Sequence, residues 1–230
     1  MPTRIQPFIT DEIYHVFNKS SDHREIFKYS ADNRELENIL NYYRHVYTPI
    51  RYSRYKASSQ QRKNEINIQF QIDTECLSDI LAYCIMPTHY HLLLKQKTNS
   101  GISKYIGITQ NAYTRYFNTK YHRKGHIFIH EFHAVLIKTE EQLKHVMRYI
   151  HLNPYSSRLL KNKEEVLTYP WSSIGSYIKN VKSANVQIET NLLMSCFQHN
   201  KERLKLFLMD HADYQQRLEY CKHAYVWENK

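Results

Sequence analysis

Glycine is scarce in this sequence. The 230 residues contain only four glycines, Gly101, Gly107, Gly125 and Gly175. Their spacing supplies neither the phosphate-binding loop G-x-x-x-x-G-K-[ST] nor the dinucleotide-binding turn G-x-G-x-x-G. The sequence therefore disfavours the nucleotide-cofactor folds that are built on these loops.

Paired cysteines and long apolar segments are also lacking. No C-x-x-C pair occurs, so neither a zinc ribbon nor a disulfide framework is indicated. Residues 1–19 contain no apolar core of a signal peptide, and no run of about 18 apolar residues is present. We expect a soluble, cytoplasmic protein with no membrane partner, whose thiols stay reduced: Cys76, Cys84, Cys196 and Cys221.

Positive charge is in excess. The chain has 32 Lys and Arg residues against 22 Asp and Glu residues, a formal net charge of +10 at pH 7. Such a balance favours a polyanionic partner over an acidic small substrate, with nucleic acid ahead of an anionic membrane surface. The 20 tyrosines fit this partner, because phenol rings stack on bases and also tolerate polar surroundings.

The order of predicted elements indicates an α+β fold. Alternating apolar residues predict strands, and apolar residues three or four positions apart predict helices. In chain order we predict a strand at 13–18, a helix that Ser30 caps, an exposed basic loop at 48–64, strands at 66–72, 80–86 and 89–95, a helix at 103–121, a strand at 127–137 and a helix that begins after the Thr139 cap and is stopped by Pro154.

The last part of the chain has a different character. Residues 190–210 predict two short amphipathic helices with a break near His199 and Asn200. We therefore divide the chain into a main domain at 1–175 and a small helical C-terminal appendage at 176–230. Helices of the main domain can cover a face of an antiparallel sheet.

Two histidines share one face of a predicted strand. His89 and His91 lie two positions apart, so their side chains project together while Tyr90 points to the opposite face. Two adjacent imidazoles can hold one divalent ion. With 14 histidines in the chain, however, an H-x-H pair also arises by chance, and two polar residues on a solvated strand face are the alternative.

A tyrosine and an asparagine share one flank of a predicted helix. Tyr149 and Asn153 are four residues apart, away from the apolar stripe of the same helix. A phenol becomes a nucleophile with help from a metal or a base, and an amide oxygen is a hard ligand suited to Mg²⁺ or Mn²⁺. Taken alone, this pair is better explained as the edge of an amphipathic helix, where Asn153 terminates the helix before Pro154.

A second tyrosine competes for the role of nucleophile. Tyr113 lies near several cations, but Phe117 stands four residues after it where a hard ligand would be needed. We therefore reject Tyr113 as the catalytic residue.

Together the motifs carry a resemblance to a known family. The sequences M-P-x-H-x-H at 86–91, Y-I-x-x-N-P at 149–154 and Y-P-W-S-S at 169–173 resemble those of the HUH transposases with a single catalytic tyrosine. Among these, the REP-associated tyrosine transposases are the most similar group. The resemblance extends from about residue 14 to residue 173, and the ordered set of motifs is more specific than any one of them.

The resemblance implies a fold, a site and a reaction. It implies a ferredoxin-like HUH endonuclease domain in which His89, His91 and Asn153 bind Mg²⁺ or Mn²⁺ and Tyr149 is the nucleophile. The implied activity is cleavage and rejoining of single-stranded, hairpin-flanked DNA through a 5′-phosphotyrosine, with no organic cofactor, by a monomer or a homodimer. Thr88 and Tyr90 depart from the family pattern, and neither change removes a ligand.

Several cations outside this site are candidate DNA contacts. A basic residue on a helix or loop either contacts the DNA backbone or forms a solvated face, and charge alone leaves both interpretations open. The candidates are Arg51, Arg54, Arg115, Lys120, Arg123 and Lys124.

Two other functions are compatible with the sequence. The domain could be a domesticated DNA-binding protein that has kept recognition and lost transposition, although the presence of Tyr149, His89 and His91 argues against it. It could also be an RNA-binding module on a similar sheet, which predicts solvent-facing aromatic residues on central strands.

Overall fold

The protein contains a four-stranded antiparallel sheet. A computed structural model describes residues 7–129, 131–178, 186–210 and 212–216. The sheet has the strand order β2-β3-β1-β4, and every neighbouring pair is antiparallel. Its strands are β1 (Ile13–Lys19), β2 (Ser78–Met86), β3 (His89–Gln96) and β4 (His133–Ile137).

Helices pack on both faces of this sheet. The helices of the described ranges are α1 (Ser30–Tyr43), α2 (Tyr52–Ala57), α3 (Gln60–Ile72), α4 (Gly101–Lys120), α5 (Glu140–Ser156), α6 (Ile174–Ile178), α7 (Asn191–Ser195) and α8 (Lys201–Met209). Within the described ranges, no helix has the length and apolar character needed to cross a membrane.

The predicted α+β, ferredoxin-like fold class is confirmed. The order β1-α1-β2-β3-α4-β4 and the arrangement of the strands are those of a ferredoxin-like unit. Tyr90, Leu92 and Leu94 of β3 pack with α1 and α4 in one apolar cluster, whereas Leu93 packs with α5 and the C-terminal helices in a second. Because both faces of the sheet are covered, β2 is buried along nearly its whole length, which explains its continuous apolar sequence.

The prediction of a loop at 48–64 and a strand at 66–72 is wrong, because this region forms α2 and α3. Ser59 caps α3, its side chain accepting a hydrogen bond from the backbone N–H of Arg62. The alternating pattern was misleading because positions 66 and 70 fall on one flank of a helix as well as on one face of a strand. Ile66 is buried, but Ile68 and Ile72 are 55% and 72% exposed, so the alternation does not mark a buried sheet face.

Three predicted boundaries also differ from the structure. Tyr29 occupies the cap position of α1, and Ser30 is its first residue. Of the predicted strand at 127–137, only His133–Ile137 forms β4. Pro154 does not stop α5, which continues to Ser156 because the surrounding residues are buried and hold the chain in helical geometry.

The C-terminal segment packs onto the same structure. Helices α7 and α8 are separated by a break in which Gln198 and His199 have positive φ angles, as expected from the sequence. Leu193, Leu204 and Leu208 are fully buried against α5 and β2. Cys76, Cys84 and Cys196 are free thiols, while Cys221 and positions 179–185, 211 and 217–230 of the predicted appendage lie outside the described residues.

Candidate active site

The two histidines of β3 lie on the face of the sheet that α5 covers. His91 is buried and His89 is partly exposed, and their rings are 5.1 Å apart at right angles. Tyr90 points to the opposite face, where its hydroxyl accepts a hydrogen bond of 2.7 Å from Nε2 of Gln110. The structure therefore places these three side chains as the strand pattern predicts.

The tyrosine and the asparagine of α5 face these histidines. The Tyr149 ring is 5.4 Å from the His91 ring, and Oδ1 of Asn153 is 3.4 Å from Nε2 of His89. Since α5 continues past Asn153, the four-residue spacing holds and both side chains stay on one flank. All four predicted site residues thus line one cleft of about 450 Å³.

Acidic residues are absent from the described lining of this cleft. Its other lining residues include Lys19, His23 and His133, and neither Asp nor Glu is among the lining residues within the described ranges. A cleft with basic and neutral polar groups and no carboxylate suits an anionic ligand such as a phosphate group.

A third histidine, which is not among the predicted site residues, supports the site. Nε2 of His15 on β1 lies 3.0 Å from Nδ1 of His91, and the hydrogen bond is buried. Burial lowers the pKa of His15 to about 4. Burial also lowers the pKa of His91 well below its usual range, with smaller contributions from His89 and His15. Both rings are therefore neutral near pH 7, the form in which imidazole binds a metal.

The Nδ1 atoms of both β3 histidines are held by neighbours. Nδ1 of His89 lies 3.0 Å from Oγ1 of Thr88, and Nδ1 of His91 is bonded to His15. A metal-binding histidine usually uses one ring nitrogen for the ion and fixes the other through such a partner. If an ion binds here, these contacts leave Nε2 of each ring as the ligand atom.

The donors fit a divalent ion. Two neutral imidazoles and the Asn153 amide oxygen form a mixed nitrogen and oxygen set, which suits Mn²⁺ and, with added water or phosphate oxygens, Mg²⁺. In the part of the chain that the structure describes, no three His, Cys, Asp or Glu side chains are grouped closely enough to bind a metal. Asn153 offers an amide oxygen and does not belong to those residue types.

The sequence Y-P-W-S-S at 169–173 fixes the position of α5. Oγ of Ser173 accepts a hydrogen bond of 2.9 Å from the Tyr83 backbone N–H of β2 and lies 2.8 Å from Nε2 of His151 on α5. The Tyr169 hydroxyl donates to the Ile85 carbonyl oxygen of β2. This segment therefore joins the tyrosine helix to the sheet that carries the histidines.

Tyr113 is unavailable as a nucleophile. Its side chain projects from α4 and is fully buried against the rings of Phe27 and Phe128, and its hydroxyl donates a hydrogen bond of 2.6 Å to the Ile26 carbonyl oxygen. Burial also raises the pKa of this hydroxyl far above its usual value. A substrate cannot reach this hydroxyl, which agrees with the rejection of Tyr113 as the catalytic residue on sequence grounds.

The structure separates the six predicted DNA contacts. Arg51, Arg54 and Arg115 line a common cleft on the helical layer formed by α1, α2 and α4. Nζ of Lys120 is bound to the Asp32 carboxylate at 2.6 Å. The other two lie beyond the end of α4, where Arg123 contacts the Phe117 ring and Lys124 is exposed.

Comparison with known proteins identifies the family. The family model described as "Transposase IS200 like" matches residues 38–153, half of the chain. The chain therefore belongs to the family of IS200-like transposases, which are DNA-cleaving enzymes. A search of curated proteins gives no significant match.

Solved structures agree with the fold. A REP-associated tyrosine transposase bound to a REP hairpin superimposes with a TM-score of 0.52 at 14% identity, over 76% of this chain and 84% of that chain. At this identity the match supports the fold alone. A candidate transposase from Deinococcus radiodurans R1 matches 64% of this chain and 95% of that chain at 15% identity, but its TM-score of 0.34 is too low to inform the fold.

Proposed function

We propose that the protein cleaves and rejoins hairpin-flanked single-stranded DNA with Tyr149 as the nucleophile. The observation that carries this proposal is the convergence of Tyr149, His89, His91 and Asn153 on one cleft whose described lining contains no carboxylate. Membership of a transposase family supports DNA as the substrate. The REP hairpin bound to the structurally similar transposase supports a substrate that contains a hairpin.

The reaction that these residues support is a transesterification. The Tyr149 oxygen attacks the scissile phosphorus, the bond from phosphorus to the 3′-oxygen breaks, and the 5′ end of one strand becomes linked to Tyr149. The proton that the phenol loses is balanced by the proton that the 3′-oxygen gains. Attack of a 3′-hydroxyl on the phosphotyrosine reverses these changes and rejoins the strand, so neither water nor a nucleotide cofactor is consumed.

His89, His91 and Asn153 would hold the divalent ion, Mg²⁺ or Mn²⁺. When bound, the ion supplies positive charge that offsets the negative charge of the scissile phosphate. The protein contributes the positions of the groups: His15 and Thr88 fix the two imidazoles, and the Ser173 contacts fix the helix that carries Tyr149. Fixed positions lower the barrier because the reacting groups need no further ordering.

A covalent-adduct assay tests this function. The protein is incubated with Mn²⁺ and labelled hairpin-flanked single-stranded DNA, and the products are separated on a denaturing gel. We expect a protein band that carries the label with DNA and none with RNA of the same sequence. An adduct with RNA in preference to DNA would instead support an RNA enzyme on the same fold.

Variants of the histidines test the metal site in the same assay. His89→Ala and His91→Ala should lose Mn²⁺ binding and adduct formation together, since each removes one ligand nitrogen. Undiminished, EDTA-sensitive cleavage by either variant would contradict the proposed ligand set.

A further inference from the structure

A second cleft lies on the helical layer opposite to the candidate active site. It has a volume of about 560 Å³ and lies between the end of α1, the segment that precedes α2, and α4. Arg51, Arg54 and Arg115 line it, together with Asn111 and Tyr43. Because α1 and α4 cover the face of the sheet that Tyr90 occupies, this cleft is separate from the one that His89 and His91 line.

The three arginines of this cleft carry uncompensated charge. All three are exposed, and none of their guanidinium groups has a hydrogen-bond or ion-pair partner among the described residues. The described residues that line the cleft include neither Asp nor Glu. Arg51 and Arg115 also line the adjoining cleft, where Lys56 is bound to Glu35 at 2.7 Å and Lys120 lies 2.6 Å from Asp32. The carboxylates Glu35 and Asp32 are therefore paired with lysines, and the charge of the three arginines is left without an ion-pair partner among the described residues.

Tyrosines of α1 hold the arginine-bearing segment in place. The Tyr42 hydroxyl donates a hydrogen bond of 2.7 Å to the Ile50 carbonyl oxygen, and the Tyr43 hydroxyl accepts one of 2.9 Å from the Tyr52 backbone N–H. These bonds lie on both sides of Arg51 in the chain and fix its backbone against α1. The cleft is thus formed before a ligand arrives, which reduces the entropy lost on binding.

The chemistry of the cleft favours phosphate groups over bases. A guanidinium group offers planar, paired N–H donors that match phosphate oxygens. Among the described residues that line the cleft, Tyr43 is the only aromatic one, and it is buried, so these residues offer no aromatic face for base stacking. Proteins that bind single strands without sequence preference usually supply such faces. A nucleic-acid segment whose bases are already paired fits this surface better.

We propose that the cleft of Arg51, Arg54 and Arg115 binds backbone phosphates of the duplex stem of the DNA hairpin. This inference rests on the proposed function, since it takes hairpin DNA as the substrate. The stem would be held on one helical layer, while the single-stranded segment to be cut reaches the cleft on the other face of the sheet. The arginines select DNA by its charge and shape and contribute no sequence preference.

A binding experiment with two DNA ligands tests the proposal. One ligand is a labelled hairpin with its single-stranded flank, and the other is an unstructured strand of equal length that contains the same flank. Affinities are measured by fluorescence anisotropy in a Tyr149→Phe background, so that no DNA is consumed. The test variant is Arg51→Gln/Arg54→Gln/Arg115→Gln. The control is Arg62→Gln/Lys144→Gln/Lys205→Gln, which changes the net charge equally at cations that already have carboxylate partners.

The test variant should bind the hairpin at least about tenfold more weakly than the control does, with a log–log salt slope smaller by about 0.9 for each phosphate that the protein no longer neutralises. Its affinity for the unstructured strand should match that of the control. Equal affinities of both variants for the hairpin, or equally weakened binding of both ligands, would overturn the proposal. Single Arg54→Gln and Arg115→Gln variants, each at an exposed position, replace the triple variant if its thermal melting shows a folding defect.

The two proposals fail in different ways. If wild-type protein forms no covalent adduct, the proposed cleavage reaction is wrong, yet the anisotropy comparison still reports on the cleft. If the adduct forms but hairpin affinity is insensitive to the three arginines, only the stem-binding cleft is wrong.

Discussion

Nε2 of His15 and Nδ1 of His91 lie 3.0 Å apart and join strands β1 and β3 through a buried hydrogen bond. If Nε2 of His91 binds the ion, Nδ1 keeps its proton and donates a hydrogen bond to Nε2 of His15. His15 therefore fixes both the orientation of the His91 ring and the nitrogen that faces the cleft.

Replacing His15 should weaken metal binding without removing a ligand. We expect His15→Leu to lower Mn²⁺ affinity about 10- to 100-fold, as loss of a partner to a metal-binding histidine commonly does. Isothermal titration with Mn²⁺ measures the change. His133→Ala is the matched control, because His133 is exposed in the same cleft and contacts the Phe17 ring. An unchanged affinity in His15→Leu, with only a lower melting temperature, would assign His15 a purely structural role.

Asn153 is expected to be a weaker ligand than either histidine. Its amide oxygen is neutral, so Asn153→Ala should reduce Mn²⁺ affinity less than His89→Ala does, and still slow cleavage. Asn153→Asp should tighten metal binding by adding a negative charge. Titration of Mn²⁺ against both variants, with cleavage rate as a second readout, checks this. The same metal midpoint in both variants and in wild type would show that Asn153 only supports the helix.

Ser173 should contribute to stability through two buried partners. Ser173→Ala removes the acceptor of the Tyr83 N–H and the partner of His151, and leaving such groups unpaired costs about 1–3 kcal/mol. Urea unfolding followed by circular dichroism measures the change. Ser195→Ala, at an exposed position of α7, is the control and should change the free energy of unfolding by no more than about 0.5 kcal/mol. Equal effects of the two substitutions would mean that the Ser173 hydrogen bonds contribute little.

Local patterns predicted much of the geometry around the site. The two-residue spacing of His89 and His91 placed both rings on one face, and the four-residue spacing of Tyr149 and Asn153 placed both on one flank of α5. The Thr139 cap of α5 is also present, its hydroxyl accepting a hydrogen bond from the Gln142 N–H. These features depend on the periods of strands and helices, which a single sequence contains.

Features that depend on contacts between distant segments were missed. His15 meets His91 only because β1 pairs with β3 in one register, and they are 76 positions apart in the chain. The C-terminal part of helix α3 was predicted as a strand because four apolar residues alternate with polar ones, which is the two-residue period of a strand. In the structure only Ile66 of these is buried, so the alternation does not reflect the face that packs against the protein. The course of α5 through Pro154 reflects tertiary packing that outweighs a local preference.

The central claim is that Tyr149 carries the DNA after cleavage, and the most direct test is to locate the linked residue. After reaction with hairpin-flanked DNA and Mn²⁺, the adduct is digested with nuclease and trypsin and analysed by tandem mass spectrometry. We predict a nucleotide on Tyr149 within the peptide 149–158, which also contains Tyr155, so fragment ions must separate the two. Tyr149→Phe should abolish the modification, and Tyr113→Phe should retain it. A nucleotide on Tyr155, or on Tyr113 in the peptide 105–115, would contradict the assignment.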